Sequence, residues 1–229
     1  MKRFHLLLLG IVLSGSAHAV DGVFEINESC VQFGCFDGDG PGLPVQIENP
    51  GSYRLTGSLT TASVNQTLID VNTNNVTIDL NGFSLTGPVT CSGTSLSCSA
   101  SGTGDGIDAN SAENVTIRNG AITGMGDDGI RVGVGAYIEE LIVAENAGVG
   151  VEALSSGSVL RRLSVRENGG NGVSLGFASN YLMDSTVFNN GSQGVFGGFC
   201  GNVLMSANDG GNSCVAIAPN RCTTATDCD

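Results

Sequence analysis

One short phrase, glycine followed by Ile or Val, any residue and a small or aliphatic residue, returns along the chain at near-constant spacing. It stands at Gly129-Ile130-Arg131-Val132, Gly150-Val151-Glu152-Ala153, Gly172-Val173-Ser174-Leu175 and Gly194-Val195-Phe196-Gly197, with steps of 21, 22 and 22. A second phrase keeps the same period, since Ile122, Val143, Val165 and Val187 each precede the aliphatic residue of the first by eight positions. A fixed period of this size marks a repeat in which each unit buries its apolar face only against its neighbours. Two short apolar strands per period, Gly and Asn between them and no helical periodicity predict the stacked turns of an all-β, right-handed parallel β-helix of six or seven turns.

The chain before the repeat reads as two pieces. Residues 1–19 carry Lys2 and Arg3, an apolar run from Leu6 to Leu13 and Ala17-x-Ala19, the pattern of a secretory signal too short to span a membrane. Residues 20–55, with the Gly/Pro-rich Phe36 to Pro44, are predicted to cap the first turn. Asp37 and Asp39 there read as a solvated turn in preference to a calcium loop, whose longer ligand pattern is missing. The repeat is expected over 56–217, with a short tail at 218–229.

Loss of the signal removes Lys2, His5 and His18, which are the only lysine and the only histidines. Seven arginines against 22 acids then leave a formal charge of −15. Without His or Lys, a Ser-His-Asp triad, a His-bound zinc and a Lys Schiff base are excluded. The acidic balance also excludes the clustered basic surface that nucleic acid requires. The predicted place is therefore the periplasm or the exterior, with no membrane span in the mature chain.

Eight cysteines, at 30, 35, 91, 98, 200, 214, 222 and 228, suit disulfides in an oxidising compartment. Their spacing suggests the local pairs 30–35, 91–98, 200–214 and 222–228. Cys91 and Cys98 fall in an insertion. Asn75-Val-Thr-Ile and Asn114-Val-Thr-Ile are near copies 39 residues apart, about 16 more than one period requires, and the Ser/Gly/Thr-rich 87–104 supplies the excess. The glycosylation sequons at Asn75 and Asn114 follow from that copying.

Alignment of the turns stacks like positions about 4.8 Å apart. Asn146, Asn168 and Asn190 form one column, read as an amide ladder at a turn where Asn tolerates left-handed backbone angles. Arg118, Glu139 and Arg161, and likewise Glu140, Arg162 and Asp184, alternate in sign as solvent-side ion-pair columns. In the strand of the first phrase, period-two alternation places Asp70, Asp108, Arg131, Glu152, Ser174 and Phe196 in one outward row. Asp105 stacks on Asp128, and Asp127 adjoins, so five acids (Asp70, Asp105, Asp108, Asp127 and Asp128) gather around Arg131. Clustered carboxylates repel, which raises pKa values and favours capture of a cation or sharing of a proton. Calcium on Asp105, Asp127 and Asp128, acid–base work on a glycosidic bond, and a polar turn with Arg131 as counter-ion are the three readings.

The Asn-Val-Thr-Ile and Gly-Ile-x-Val phrases with the Asn column, over roughly residues 53 to 217, resemble the right-handed parallel β-helix proteins of the pectate-lyase-like superfamily. That resemblance implies an extracellular or envelope polysaccharide as partner. Gly126-Asp127-Asp128 is similar to the Gly-Asp-Asp element of polygalacturonases, in which the aspartates are acid and base; the accompanying Asn-Thr-Asp, His-Gly and Arg-x-Lys elements are absent. Pectate lyases hold calcium on aspartates and use an arginine as base, roles that the resemblance would give to Asp105, Asp127, Asp128 and Arg131. Three functions stay open: a carbohydrate-interacting protein with Asp108 and Glu152 on substrate, a lyase or hydrolase using Asp127, Asp128 and Arg131, and a structural or adhesive surface solenoid. Trp is absent and aromatics form 5% of the chain, which leaves few sugar-stacking faces. Phe177, Tyr181, Phe188, Phe196 and Phe199 group late in the sequence.

Overall fold

A computed structural model describes residues 22–217 except 94, 154, 177 and 178, together with the backbone of 221 and 222. The signal segment 1–19, Phe177 and the Cys222–Cys228 pair lie outside the described residues. The chain winds into a parallel β-solenoid. Val45–Ile47, Ile69–Val71, Ile107–Ala109, Ile130–Val132, Val151–Ala153, Val173–Leu175 and Val195–Phe196 stack in that order as a seven-stranded sheet, here the short sheet. Fifteen of the remaining strands form a second sheet, here the long sheet, whose longest path runs from Val23–Ile26 through Thr116–Thr123 and Tyr137–Ala144 to Val215–Ala216.

Apolar side chains at every second position of each strand point inward, and stacking puts like on like. Ile69, Ile107, Ile130, Val151, Val173 and Val195 pair in continuous register, each wholly buried. Across the lumen Ile122, Val143, Val165 and Val187 do the same. Each such side chain contributes about 1.5–3 kcal/mol of burial. Both files were legible as phrases in the sequence, and a third, Tyr53, Ile78, Ile117, Ile138, Leu160, Leu182 and Cys200, completes the core beside them.

The Asn column is buried at the corner between the sheets. Asn168 Oδ1 accepts the Asn146 N–H (3.1 Å) and Nδ2 (2.9 Å), and Asn190 Oδ1 accepts the same pair of groups from Asn168. Asn208, after a step of 18, extends the column by one member. The left-handed backbone falls one residue earlier than the sequence suggests, on Glu145, Glu167, Asn189 and Ala207 (φ 51° to 58°). The preceding residue makes the bend, and the Asn side chain is thereby aimed inward, at the N–H of the turn before.

One of the two charged columns is longer than the sequence reading gave it. Glu25, Arg54, Asp79, Arg118, Glu139 and Arg161 alternate over six consecutive rungs of the long sheet. Arg118 pairs with Asp79 at 3.2 Å, and Arg161 with Glu139 at 2.9 Å. Arg162 bridges Glu139 and Glu140, whereas Asp184 accepts from Asn202 Nδ2 at 2.8 Å.

Strand pairing begins inside the stretch read as a cap, with Val23–Ile26 on Gly51–Leu55 and Val45–Ile47 on Ile69–Val71. The one-turn helix Glu28–Val31, capped by Asn27, was not foreseen from periodicity because four residues show none. Asp39 accepts the N–H groups of Cys35 and Gln46, so its carboxylate closes the following loop. Disulfides join Cys30 to Cys35, Cys91 to Cys98 and Cys200 to Cys214. The insertion 87–104 holds an antiparallel hairpin, Cys91–Ser92 against Ser97–Cys98. Its sulfurs lie over the Asn corner, where the Cys91 Sγ is 3.3 Å from the Glu145 carbonyl.

Candidate functional site

The outward row of the short sheet is in the predicted register: Gln46, Asp70, Asp108, Arg131, Glu152, Ser174 and Phe196 pair in sequence along the axis. Arg131 sits between Asp108 below and Glu152 above. Its Nη1 lies 3.5 Å from Asp105 Oδ2 and 3.7 Å from Asp108 Oδ2, while Nε lies 3.7 Å from Asp128 Oδ2 and 3.6 Å from Glu152 Oε2. All four are longer than a good N–H···O hydrogen bond, and the buried Nε has no hydrogen-bond partner. The guanidinium is therefore held by the summed field of four carboxylates.

Asp105 and Asp128 reach this point from the corner that precedes each strand. They are 2% and 7% exposed, and each divides its carboxylate between two tasks. Asp105 Oδ1 accepts the Asp128 N–H at 3.0 Å, Asp128 Oδ1 accepts the Val149 N–H at 2.6 Å, and both Oδ2 atoms face Arg131. Asn171 Oδ1 repeats the motif on the Gln193 N–H. An acceptor side chain bonding the N–H of the next turn is thus a recurrent feature of this corner.

Burial, opposed by that backbone bond and by Arg131, lifts the Asp105 pKa to about 6; burial, opposed by the Val149 bond, lifts Asp128 to about 7 with further help from Asp127 and Glu152. Burial together with Asp108 and Glu48 also raises Asp70, against a hydrogen bond from Asn72. For Arg131 burial acts downward, but Asp108, Asp105, Asp128 and Glu152 prevail and raise it.

Asp127 is half-buried beside Gly148 and lies outside the set of Arg131 ion pairs among the described residues. A Cβ at Gly148 would stand 2.4 Å from Asp128 Oδ1 and 2.7 Å from Asp127 Oδ1, so only glycine fits there. Among the described residues no group of three or more His, Cys, Asp or Glu side chains is arranged to hold a metal ion; the cation of this cluster is its own Arg131.

Sequence reasoning missed a second file beside the row. Glu48 and Asn72 stand two positions after Gln46 and Asp70, beside the first two rungs. Asn72 Nδ2 donates to Glu48 Oε1 at 3.0 Å and to Asp70 Oδ2 at 3.3 Å. Period-two reading carried one step past each strand end would have found it.

No protein family, curated protein or solved structure matches the chain. The class of protein accordingly rests on the fold: an all-β parallel solenoid with a period near 22 residues, carrying disulfides. Disulfides of this kind belong to an extracytoplasmic setting, and no helix among the described residues is long and apolar enough to cross a membrane.

Proposed function

We propose that this chain is an exported, non-catalytic solenoid that binds an extracellular or envelope polysaccharide along the outer face of the short sheet, as a right-handed β-helix of the pectate-lyase-like kind would. The observation that carries the reading is the row Gln46, Asp70, Asp108, Arg131 and Glu152, flanked on its first two rungs by Glu48 and Asn72. Carbonyl, amide and carboxylate groups recur there at the strand spacing of about 4.8 Å. A linear polymer with hydroxyl groups on every residue suits such a regular row of donors and acceptors. The excess of acids favours a neutral or amino-bearing glycan over a polyuronate.

A lyase or hydrolase using Asp127, Asp128 and Arg131 has less support. A general acid or base must come within hydrogen-bond reach of the substrate oxygen, whereas Asp128 is 7% exposed with one oxygen committed to Val149. Calcium has less support for the same reason, with Arg131 among the carboxylates it would need. Affinity electrophoresis of the full secreted chain through neutral, amino-bearing and uronate polysaccharides tests the binding. Retardation is expected in the first or second gel, weakened at least tenfold by Asp70→Ala with Asn72→Ala. Free migration in all of them would end the proposal.

A further inference from the structure

The outward row of the short sheet continues past the last of its charges. Beyond Glu152 come Ser174 and then Phe196, on the terminal strand of that sheet. Phe196 is 46% exposed, and among the described residues it is the one large apolar side chain that a strand of the short sheet turns to solvent. The residues beside it on the outer face are small. Ser174 pairs with it from the turn before. The turn after approaches through Ser213, whose N–H donates to the Val195 carbonyl at 3.0 Å and whose Oγ accepts the Gly197 N–H at 3.1 Å. Gly197 and Gly198, which carry no side chains, follow it directly. Among the described residues no second ring stacks on Phe196, whereas Tyr181 and Phe199 on the long sheet stack on each other with centroids 5.3 Å apart.

We infer that Phe196 is a sugar-stacking subsite at the end of the polar row, and that the glycan it takes is a flat, equatorially linked ribbon of gluco-configured residues, neutral or amino-bearing. The inference rests on the polysaccharide reading of that row, and adds to it a fixed end and a stereochemical class.

Ring chemistry selects the configuration. A pyranose with equatorial hydroxyls presents C–H groups on its faces, and these meet the negative face of an aromatic ring. An axial hydroxyl would be pressed against the ring without a hydrogen-bond partner. The shape of the row selects the linkage. Its members pair rung by rung from Gln46 to Phe196, along the solenoid axis, over about 29 Å. A coiling polymer leaves such a row after a few residues, and an extended ribbon stays on it. Charge stops at Glu152, about 10 Å before Phe196. Hydroxyl and amino groups therefore meet the acid-rich rungs while one sugar face meets the ring, which seats the polymer in one direction.

The chain has no Trp, so Phe196→Trp in the full secreted chain places a single reporter at this point. The probes are cello-oligosaccharide and deacetylated chito-oligosaccharide of about six residues, long enough to follow the row, with malto-oligosaccharide as the coiled counterpart. Emission of Phe196→Trp should shift to the blue with one of the first two and stay in place with the third. Calorimetric titration should show that Phe196→Ala weakens binding of the same probe about tenfold. Phe188→Ala, on the long sheet and 38% exposed, should leave it unchanged. Wild-type binding that is indifferent to Phe196→Ala, with the emission unmoved, would overturn this inference and leave the polysaccharide reading standing. An equal emission shift with malto-oligosaccharide would overturn it too. A wild type that binds none of the probes and migrates freely through every polysaccharide gel would end both.

Discussion

Asp105 holds the backbone of Asp128: its Oδ1 accepts the N–H of that residue, one turn further on, at 3.0 Å. Asp128 passes the same bond to Val149, so two carboxylates that resemble catalytic groups in the sequence are fasteners between successive turns. Their outward oxygens converge on Arg131, which makes the cluster one electrostatic unit. Its stability must depend on pH.

Both folded-state pKa values, about 6 for Asp105 and about 7 for Asp128, stand above the ordinary 3.8. Between those limits the folded chain holds more protons than the unfolded chain, so stability falls as pH rises. The contribution is full below about pH 4 and lost above about pH 7. The groups facing the pair are Asp108, Asp127, Glu152 and Arg131, of which only Arg131 is cationic. Thermal melts should give a higher Tm at pH 5 than at pH 8. Asp128→Asn keeps an acceptor for Val149 and removes one charge, so it should raise the Tm at pH 8 and flatten the slope. A wild-type Tm independent of pH over this range would contradict the account.

Removal of the guanidinium leaves Asp105, Asp108, Asp128 and Glu152 without a counter-charge. Arg131→Ala should cost about 2–4 kcal/mol at pH 8, because an uncompensated buried charge is expensive, and less at pH 5, where the acids can protonate. The same variant separates the two cation readings. Millimolar calcium should raise the Tm of Arg131→Ala by mass action and leave the wild type unmoved. Equal calcium shifts in both proteins would mean that Arg131 does not fill the cation's place.

The short-sheet row and the pairing of Asp105 with Asp128 were legible because residues 105 to 196 repeat with little change in length, and register follows from counting. Where the step changes, counting fails. Asn208 follows Asn190 by 18 and was invisible as a fourth ladder member, although it accepts the same two bonds. Ser158 and Asn180 form another wholly buried file, in which Asn180 Oδ1 accepts the Ser158 N–H and Ser158 Oγ the Ala136 N–H. Its members differ in type, so no column of identical residues announced it. The depth of Asp105 and Asp128 was also hidden, since alternation tells which way a side chain points and not what lies over it.

The amide ladder should be less tolerant than the aliphatic files. Asn168 accepts two bonds from Asn146 and donates to Val143 O and Asn190 Oδ1, all within a fully buried corner. Asn168→Ala leaves several of these groups unpaired at about 1–3 kcal/mol each, whereas Val165→Ala removes only apolar contacts. Denaturant unfolding should therefore show a loss of about 3–5 kcal/mol for Asn168→Ala and a smaller one for Val165→Ala. The reverse order would place the stability of the corner elsewhere.

Gly148 offers the sharpest test of how closely the turns approach at the cluster. Its φ lies outside the left-handed region, so alanine there adds no backbone strain, and the added methyl meets Asp128 Oδ1 at 2.4 Å and Asp127 Oδ1 at 2.7 Å. The neighbours are tied down, since Asp128 is bonded to Val149 and the Gly148 N–H itself donates to the Asp127 carbonyl at 2.8 Å. Overpacking of this kind should cost about 2–3 kcal/mol in denaturant unfolding. Because half of the clash is with one carboxylate, the cost should shrink by at least about 1 kcal/mol when Gly148→Ala is made in an Asp128→Ala background. Gly157 has φ +85° and nothing within 3.8 Å of its added Cβ; alanine there should cost about 1 kcal/mol in either background. Additive behaviour at Gly148 would mean that the turns can separate at this corner, and that Asp128 does not bind them.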